Sequence, residues 1–326
     1  MMHLLTKSYK AWISGLLLAA ATHLYAGEPP KVLASIKPLQ LIAQAITSNV
    51  SNTEVLLPPG ASPHDYSLRF SDRRKLDSAD LILWVGPNME VSLNKILENA
   101  NGDKAMKMMA IQGIHQHKDH SHQAEKDTKK HDHDHHHHHD HGHHHHGGVD
   151  PHIWLSTNNA LLMARAINTK LQAIDQNPEH RKIYSANLKA FEARLKQADE
   201  KNNQQLEAVR HKPFFVFHDA YGHLQDSYNL NIAGHFTLNP QQPPGAKHLE
   251  ELRNKLKHAG ATCVFREPQF KPTYIDSLTK GLPVQIAELD PLGENIAVDE
   301  QGYIHFINSL VNGIYNCLNR DIANAG

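Results

Sequence analysis

Short apolar runs, each followed by a stretch of helical periodicity, recur from Lys31 onward, and that alternation confines the chain to a parallel α/β fold. VLASI (Val32 to Ile36) reads as a strand, followed by a helix whose apolar face includes Leu39, Ile42 and Ile46. EVLLP is a second strand running into the turn-rich PPGASPHD. LILWVG (Leu81 to Gly86) is a third, after a short helix, and KAMKMMAI from Lys104 a fourth. The theme returns later in PFFVFH (Pro213 to His218), LNIAG, TCVFRE from Thr262 and PVQIAELD from Pro283, with a last helix from about Gln301 to Leu318. Two lobes are expected, each a parallel sheet of about four strands flanked by helices.

Between the lobes, Ser156 is placed to cap a helix carrying Leu161, Ile167, Leu171 and Ile174, which ends near Asn177-Pro178. Tyr184, Leu188, Phe191, Leu195, Ala198, Asn202, Leu206 and Val209 then recur every three or four residues. A helix over 178–209, about 32 residues at 1.5 Å each, spans about 48 Å and is expected to join the lobes as one rigid strut. The expected divisions are a signal peptide at 1–26, a first lobe at 27–177, the helix at 178–209 and a second lobe at 210–326.

Residues 111–149 break the pattern and hold 16 of the 28 histidines, among them His131, His133, His135, His136, His137, His138, His139, His141, His143, His144, His145 and His146. The rest of the segment is Asp, Lys, Gly and Gln, which cannot bury a core, so it is expected to be a mobile loop.

Lys7 and Lys10 precede an apolar stretch, Ala11 to Ala21, too short to span a bilayer, and cleavage after Ala26 fits a secretory leader. No cysteine follows that stretch, so no lipid anchor is expected. Lys+Arg total 33 against 34 Asp+Glu, a formal charge of -1 without the basic footprint of a nucleic-acid binder. In an oxidising compartment the pair Cys263 and Cys317 favours a disulfide over a metal site, with two buried thiols as the alternative.

Ligands of open parallel sheets sit beyond the C-terminal ends of the strands. That rule selects His64 in the loop after the second strand, His218 at the end of PFFVFH and Asp290 in LDPLG, while His152 lies in the DPHIW turn before a helix. Three imidazoles and a carboxylate suit Zn²⁺. Asp65, Asp150 and Asp219 flank the histidines and are candidates for orienting them. His223, His235 and His248 are assigned structural roles.

GASPHDYSLRFSD, DPHIWLS, FHDAYGHL and LDPLG together resemble the zinc-specific periplasmic binding proteins of ABC importers, the cluster A-I metal-binding family. The acidic histidine-rich insertion, PQQPPGAKHLEELR and ATCVFREPQF are similar to theirs too, so the likeness covers essentially all the chain after the leader. It implies two α/β lobes bridged by a long helix, a metal between them, and a Cys263–Cys317 disulfide. The implied function is capture of Zn²⁺ in the periplasm by a monomer and delivery to a membrane permease, with the tract as an auxiliary low-affinity collector and no enzymatic activity. Manganese-binding members resemble this chain but place a carboxylate where His218 stands, which makes His218 the selectivity residue. The fourth ligand is Asp290 or a water near it. Imidazole ligands must be neutral, so binding is expected to weaken as pH falls through about 6.5. The alternatives are a zinc hydrolase and a metal reservoir or nickel chaperone without a transporter.

Overall fold

The computed structural model describes residues 27–98, 104–117, 148–238, 240, 242–260, 262–270 and 273–320. The expected leader at 1–26 and the tract histidines from His131 to His146 lie outside the described residues.

The first half runs β1 (Val32–Ala34), α1 (Lys37–Thr47), β2 (Glu54–Val55), α2 (Phe70–Ser78), β3 (Leu81–Trp84), α3 (Val91–Glu98) and β4 (Ala105–Lys107). Its strands pair in parallel in the order β2-β1-β3-β4. EVLLP yields a shorter strand than its composition suggests, because Pro58 and Pro59 offer no amide to continue the ladder. Helix α4 (Thr157–Ile174) starts where Ser156 accepts a hydrogen bond from the Asn159 amide, as its position predicted. Asn177 caps α5 (Pro178–Leu206) by accepting from the Glu179 amide, and Pro178 supplies a first-turn residue with no donor to waste. That helix has 29 residues, about 44 Å at 1.5 Å each, and ends three residues before the buried Val209.

The second half runs β5 (Phe214–His218), α6 (Gly222–Tyr228), β6 (Ile232–Thr237), α7 (Ala246–Ala259), β7 (Thr262–Arg266), α8 (Tyr274–Thr279), β8 (Val284–Glu288) and α9 (Gly302–Leu318). The order β6-β5-β7-β8 repeats that of the first sheet, again all parallel.

Successive strand residues point to opposite faces, and the cores follow that period. Val32, Ala34, Leu81 and Leu83 enter one large core, whereas Leu33, Ile82 and Trp84 enter a smaller one on the other face of the sheet. In the second sheet Phe214, Val216 and Phe265 join that same large core, while Phe215, Phe217 and Val264 form a third. The large core is therefore shared by both halves. Helix α5 lies along it, packed against α1, α4 and α9. Cys263 on β7 and Cys317 on α9 are disulfide-bonded across a separation of 54 residues.

Candidate metal centre

Both sheets present their C-terminal strand ends to the same small space. His218 is the last residue of β5, a central strand, and is 3% exposed. His64 comes from the irregular loop between β2 and α2, where its amide donates to Ser62 Oγ at 3.3 Å, and it is half-buried. His152 follows the Asp150-Pro151 turn, in which Asp150 Oδ1 accepts the His152 amide at 2.9 Å. Trp154 packs beside the His152 ring and anchors the segment by donating its indole N–H to Pro291 O at 2.8 Å.

The three rings converge. Their centroids are 5.5 Å apart for His64–His152, 5.7 Å for His64–His218 and 5.1 Å for His152–His218. One ligand atom from each lies within 4.8 Å of the others, the one such group among the described residues. Nδ1 of His152 contacts Asp150 Oδ1 at 2.6 Å, and Nδ1 of His218 contacts Glu267 Oε1 at 2.6 Å. An imidazole that donates from Nδ1 to a carboxylate leaves a lone pair on Nε2. Those two Nε2 atoms face each other at 3.3 Å. Two lone pairs at that distance repel unless a cation lies between them. A tetrahedral Zn²⁺ with bonds of about 2.0–2.1 Å has ligand edges of about 3.3 Å, so the His152–His218 pair is already spaced for it. His64 needs to close by at most about 1.5 Å to complete the same polyhedron.

Electrostatics favour the neutral, metal-competent rings. Burial, with the nearby His152 and His218, pulls the His64 imidazole down to about 2. Burial, with His218 and His223, holds His152 well below its ordinary value. The cavity at the centre, lined by His64, His152, His218, Glu267 and Phe270, measures about 10 Å³. That is roughly one water-sized sphere, room for a single ion.

The flanking acids divide. Asp150 holds His152, as its position suggested. Asp219 does not hold His218: its Oδ1 lies 3.6 Å from His235 Nδ1, because the residue after a strand's end turns to the neighbouring β6. Glu267, one residue beyond β7, takes that place, and sequence reasoning passed over it although the strand-end rule applies to it equally. Asp65 is exposed. Asp290 is held in its own turn, where Oδ1 accepts from the Leu292 amide at 3.0 Å and Gln269 Nε2 at 2.9 Å, and Oδ2 from the Glu294 amide at 2.6 Å. It is not among the mutually close ligand atoms, since β8 ends two residues earlier, at Glu288. His248 donates to His235 O at 3.0 Å and His223 to Asp150 O at 3.0 Å.

Twin parallel sheets with a buried, carboxylate-backed imidazole cluster at their strand ends have the layout of a solute-binding protein for a metal ion. The chain matches the family model of the periplasmic zinc-uptake complex component A, ZnuA, over residues 32–317. It is 45% identical over 289 residues to the high-affinity zinc uptake system protein ZnuA of Haemophilus ducreyi, covering 88% of this chain and 93% of that one. It is 41% identical over 290 residues to the protein of the same name from Yersinia pestis, covering 88% and 91%. A crystal structure of ZnuA superposes with a TM-score of 0.70 at 25% identity, over 89% of this chain and 99% of that one. The chain belongs to the ZnuA family of periplasmic zinc-uptake components. It is a solute-binding component of zinc import and not an enzyme.

Proposed function

We propose that this protein captures Zn²⁺ between its two sheets on His64, His152 and His218, with water in the fourth position, and hands the ion to the membrane permease of an ABC importer. The observation that carries the reading is the 3.3 Å approach of two Nε2 atoms whose rings are each backed by a carboxylate. Three imidazoles favour Zn²⁺ over the harder Mn²⁺, which prefers oxygen, and His218 is the ligand that sets this balance. Asp290 keeps the LDPLG turn in place beside the site and becomes a ligand only if it gives up its turn hydrogen bonds. On this reading the protein works as a monomer of two lobes, 27–177 and 210–326, spanned by α5. A leader at 1–26 directs it to the periplasm. The tract collects zinc weakly, because many imidazoles on one segment raise the local ligand concentration.

Zinc titration by calorimetry tests the assignment. His64→Ala/His218→Ala should abolish the tight equivalent and leave the weak ones, whereas removing residues 115–146 should do the reverse. Loss of the tight equivalent with the tract would overturn the reading.

A further inference from the structure

We propose that Glu294 is a positioning residue for zinc release: it latches the loop that bears His64 across to the second half of the molecule and so sets how long the ion is held. The role rests on the central assignment of His64, His152 and His218.

The loop between β2 and α2 is anchored on both sides of His64. Downstream the anchor is local. Asp72, buried in the first turn of α2, accepts the Tyr66 hydroxyl and the Arg69 amide on Oδ2 at 2.7 Å each. Upstream the anchor crosses the molecule: the Gly60 amide donates to Glu294 Oε1 at 2.9 Å, over 234 residues of sequence. Gly60 has a φ of 77° and open space where a Cβ would stand. Glycine serves there for the left-handed backbone that aims the amide at the other half, and not to relieve a close contact.

Glu294 is fixed from its own side. Its amide donates to Asp290 Oδ2 at 2.6 Å, and a Cβ added to the preceding Gly293 would stand 2.7 Å from the Phe306 ring, so the turn lies flush on α9. The Lys37 ammonium, at the start of α1 in the first half, donates to Glu294 O at 2.8 Å. Gln269 Nε2 bridges Asp290 Oδ1 and Glu294 Oε1, at 2.9 Å from each. The bridge leaves Gln269 Oε1 buried and without a hydrogen-bond partner among the described residues. The two acids dictate which way the amide faces, because turning it would set its oxygen against both. Gln269 also lines the central cavity with His64 and His218. The network therefore runs from the cavity wall through Glu294 to the loop of the other half.

His64 is the half-buried ligand on irregular chain, so its withdrawal is the step that loop anchors control. One net hydrogen bond shifts the balance between a closed and an open loop by about 3–10-fold. With Glu294 in place the open form is rarer by that factor, and the ion leaves correspondingly slowly.

The test is stopped-flow transfer of Zn²⁺ from the loaded full chain to an excess of a colorimetric chelator. Glu294→Ala should speed release about 3–10-fold. Glu294→Gln keeps an acceptor oxygen for Gly60 and Gln269 and should stay within about twofold of the parent protein. In a His64→Ala background, where the loop no longer holds the ion, Glu294→Ala should change the rate by less than about twofold. A residue that merely stabilised the fold would add its full effect there. An unchanged rate in Glu294→Ala, equal acceleration by Ala and Gln, or undiminished acceleration without His64 overturns the latch. The central assignment is read separately, by calorimetry. Survival of the tight equivalent in His64→Ala/His218→Ala would sink that assignment and the latch with it, whereas its loss there, with Glu294→Ala no faster than the parent, rejects the latch alone.

Discussion

The two halves share one strand order, and each buries a glutamate beyond its strand ends, yet they use it differently. Glu90 in the first half is turned to backbone: Val85 and Gly86 donate their amides to it at 3.0 Å each, and the Ser35 hydroxyl bonds to it. Glu267 in the second half is turned to the His218 ring at 2.6 Å. The first half braces its own loop and offers His64 from irregular chain, with no carboxylate hydrogen-bonded to its ring among the described residues. The second half offers an imidazole fixed by a central strand and an acid. Of the three imidazoles gathered in the crevice, His64 is thus the adaptable one, whereas His218 and the first half's own Asp150-backed His152 are preset.

That contrast can be broken at several points. The disulfide staples only the second half, and closing its 54-residue loop is worth about 4 kcal/mol in the chain-entropy model. Cys263→Ala/Cys317→Ala should lower stability by up to that amount in denaturant melts, with the loss of hydrogen-exchange protection centred on β7 and α9. His218→Ala comes next. Zinc-site free energies of roughly 10–16 kcal/mol shared over four ligands imply about 3–4 kcal/mol each, a loss of ~10²–10³-fold in affinity by chelator competition. His64→Ala should cost less, because water can take over at a half-buried loop position. Equal losses would erase the asymmetry. Glu267→Gln, which keeps shape but weakens the hold on His218, should reduce affinity about 10–100-fold, whereas Glu90→Gln should leave it nearly unchanged.

The smallest effect is in pH. His64 and His152 have folded values below their unfolded ones, so below about pH 6.5 the unfolded chain binds more protons than the folded one. Stability of the metal-free protein is therefore full above that pH and falls as pH drops. For His64 alone the loss reaches up to about 2 kcal/mol by pH 5. Thermal melts of metal-free protein at pH 7 and 5 should show it, and His64→Ala should flatten the slope. The same depressed values move proton competition at these two rings below the expected midpoint near 6.5, so zinc binding should survive mild acid better than free imidazole does.

The fold was legible in sequence because parallel strands buried on both faces appear as continuous apolar runs, as in LILW and FFVF, and each is followed by helical spacing. The strand-end rule reached His64 and His218 by the same logic. What it missed depends on side-chain direction beyond a strand, which no periodicity encodes. Glu267 and Asp219 both follow strand ends, but one turns to the imidazole and the other to the next strand. Asp290 looked like a ligand and is held by its own turn, since nothing in LDPLG distinguishes a carboxylate facing a cavity from one collecting amides two and four residues ahead. His115 and His117 belong by composition to the tract, and their contacts with Asn159, Asp150, Gly222 and Asp226, all distant in sequence, mark them as part of the folded body.

The core that passes under both sheets has a kinetic consequence. Prising the halves apart would wet apolar side chains at a cost of about 25 cal/mol for each Å² exposed, whereas residues 61–66 around His64 place just Ala61 and Tyr66, both partly buried, against that core. On the proposed reading, exchange with the outside is expected to follow local motion of that segment, nanoseconds to microseconds, and the lifetime of metal–nitrogen bonds more than the slower rocking of whole domains.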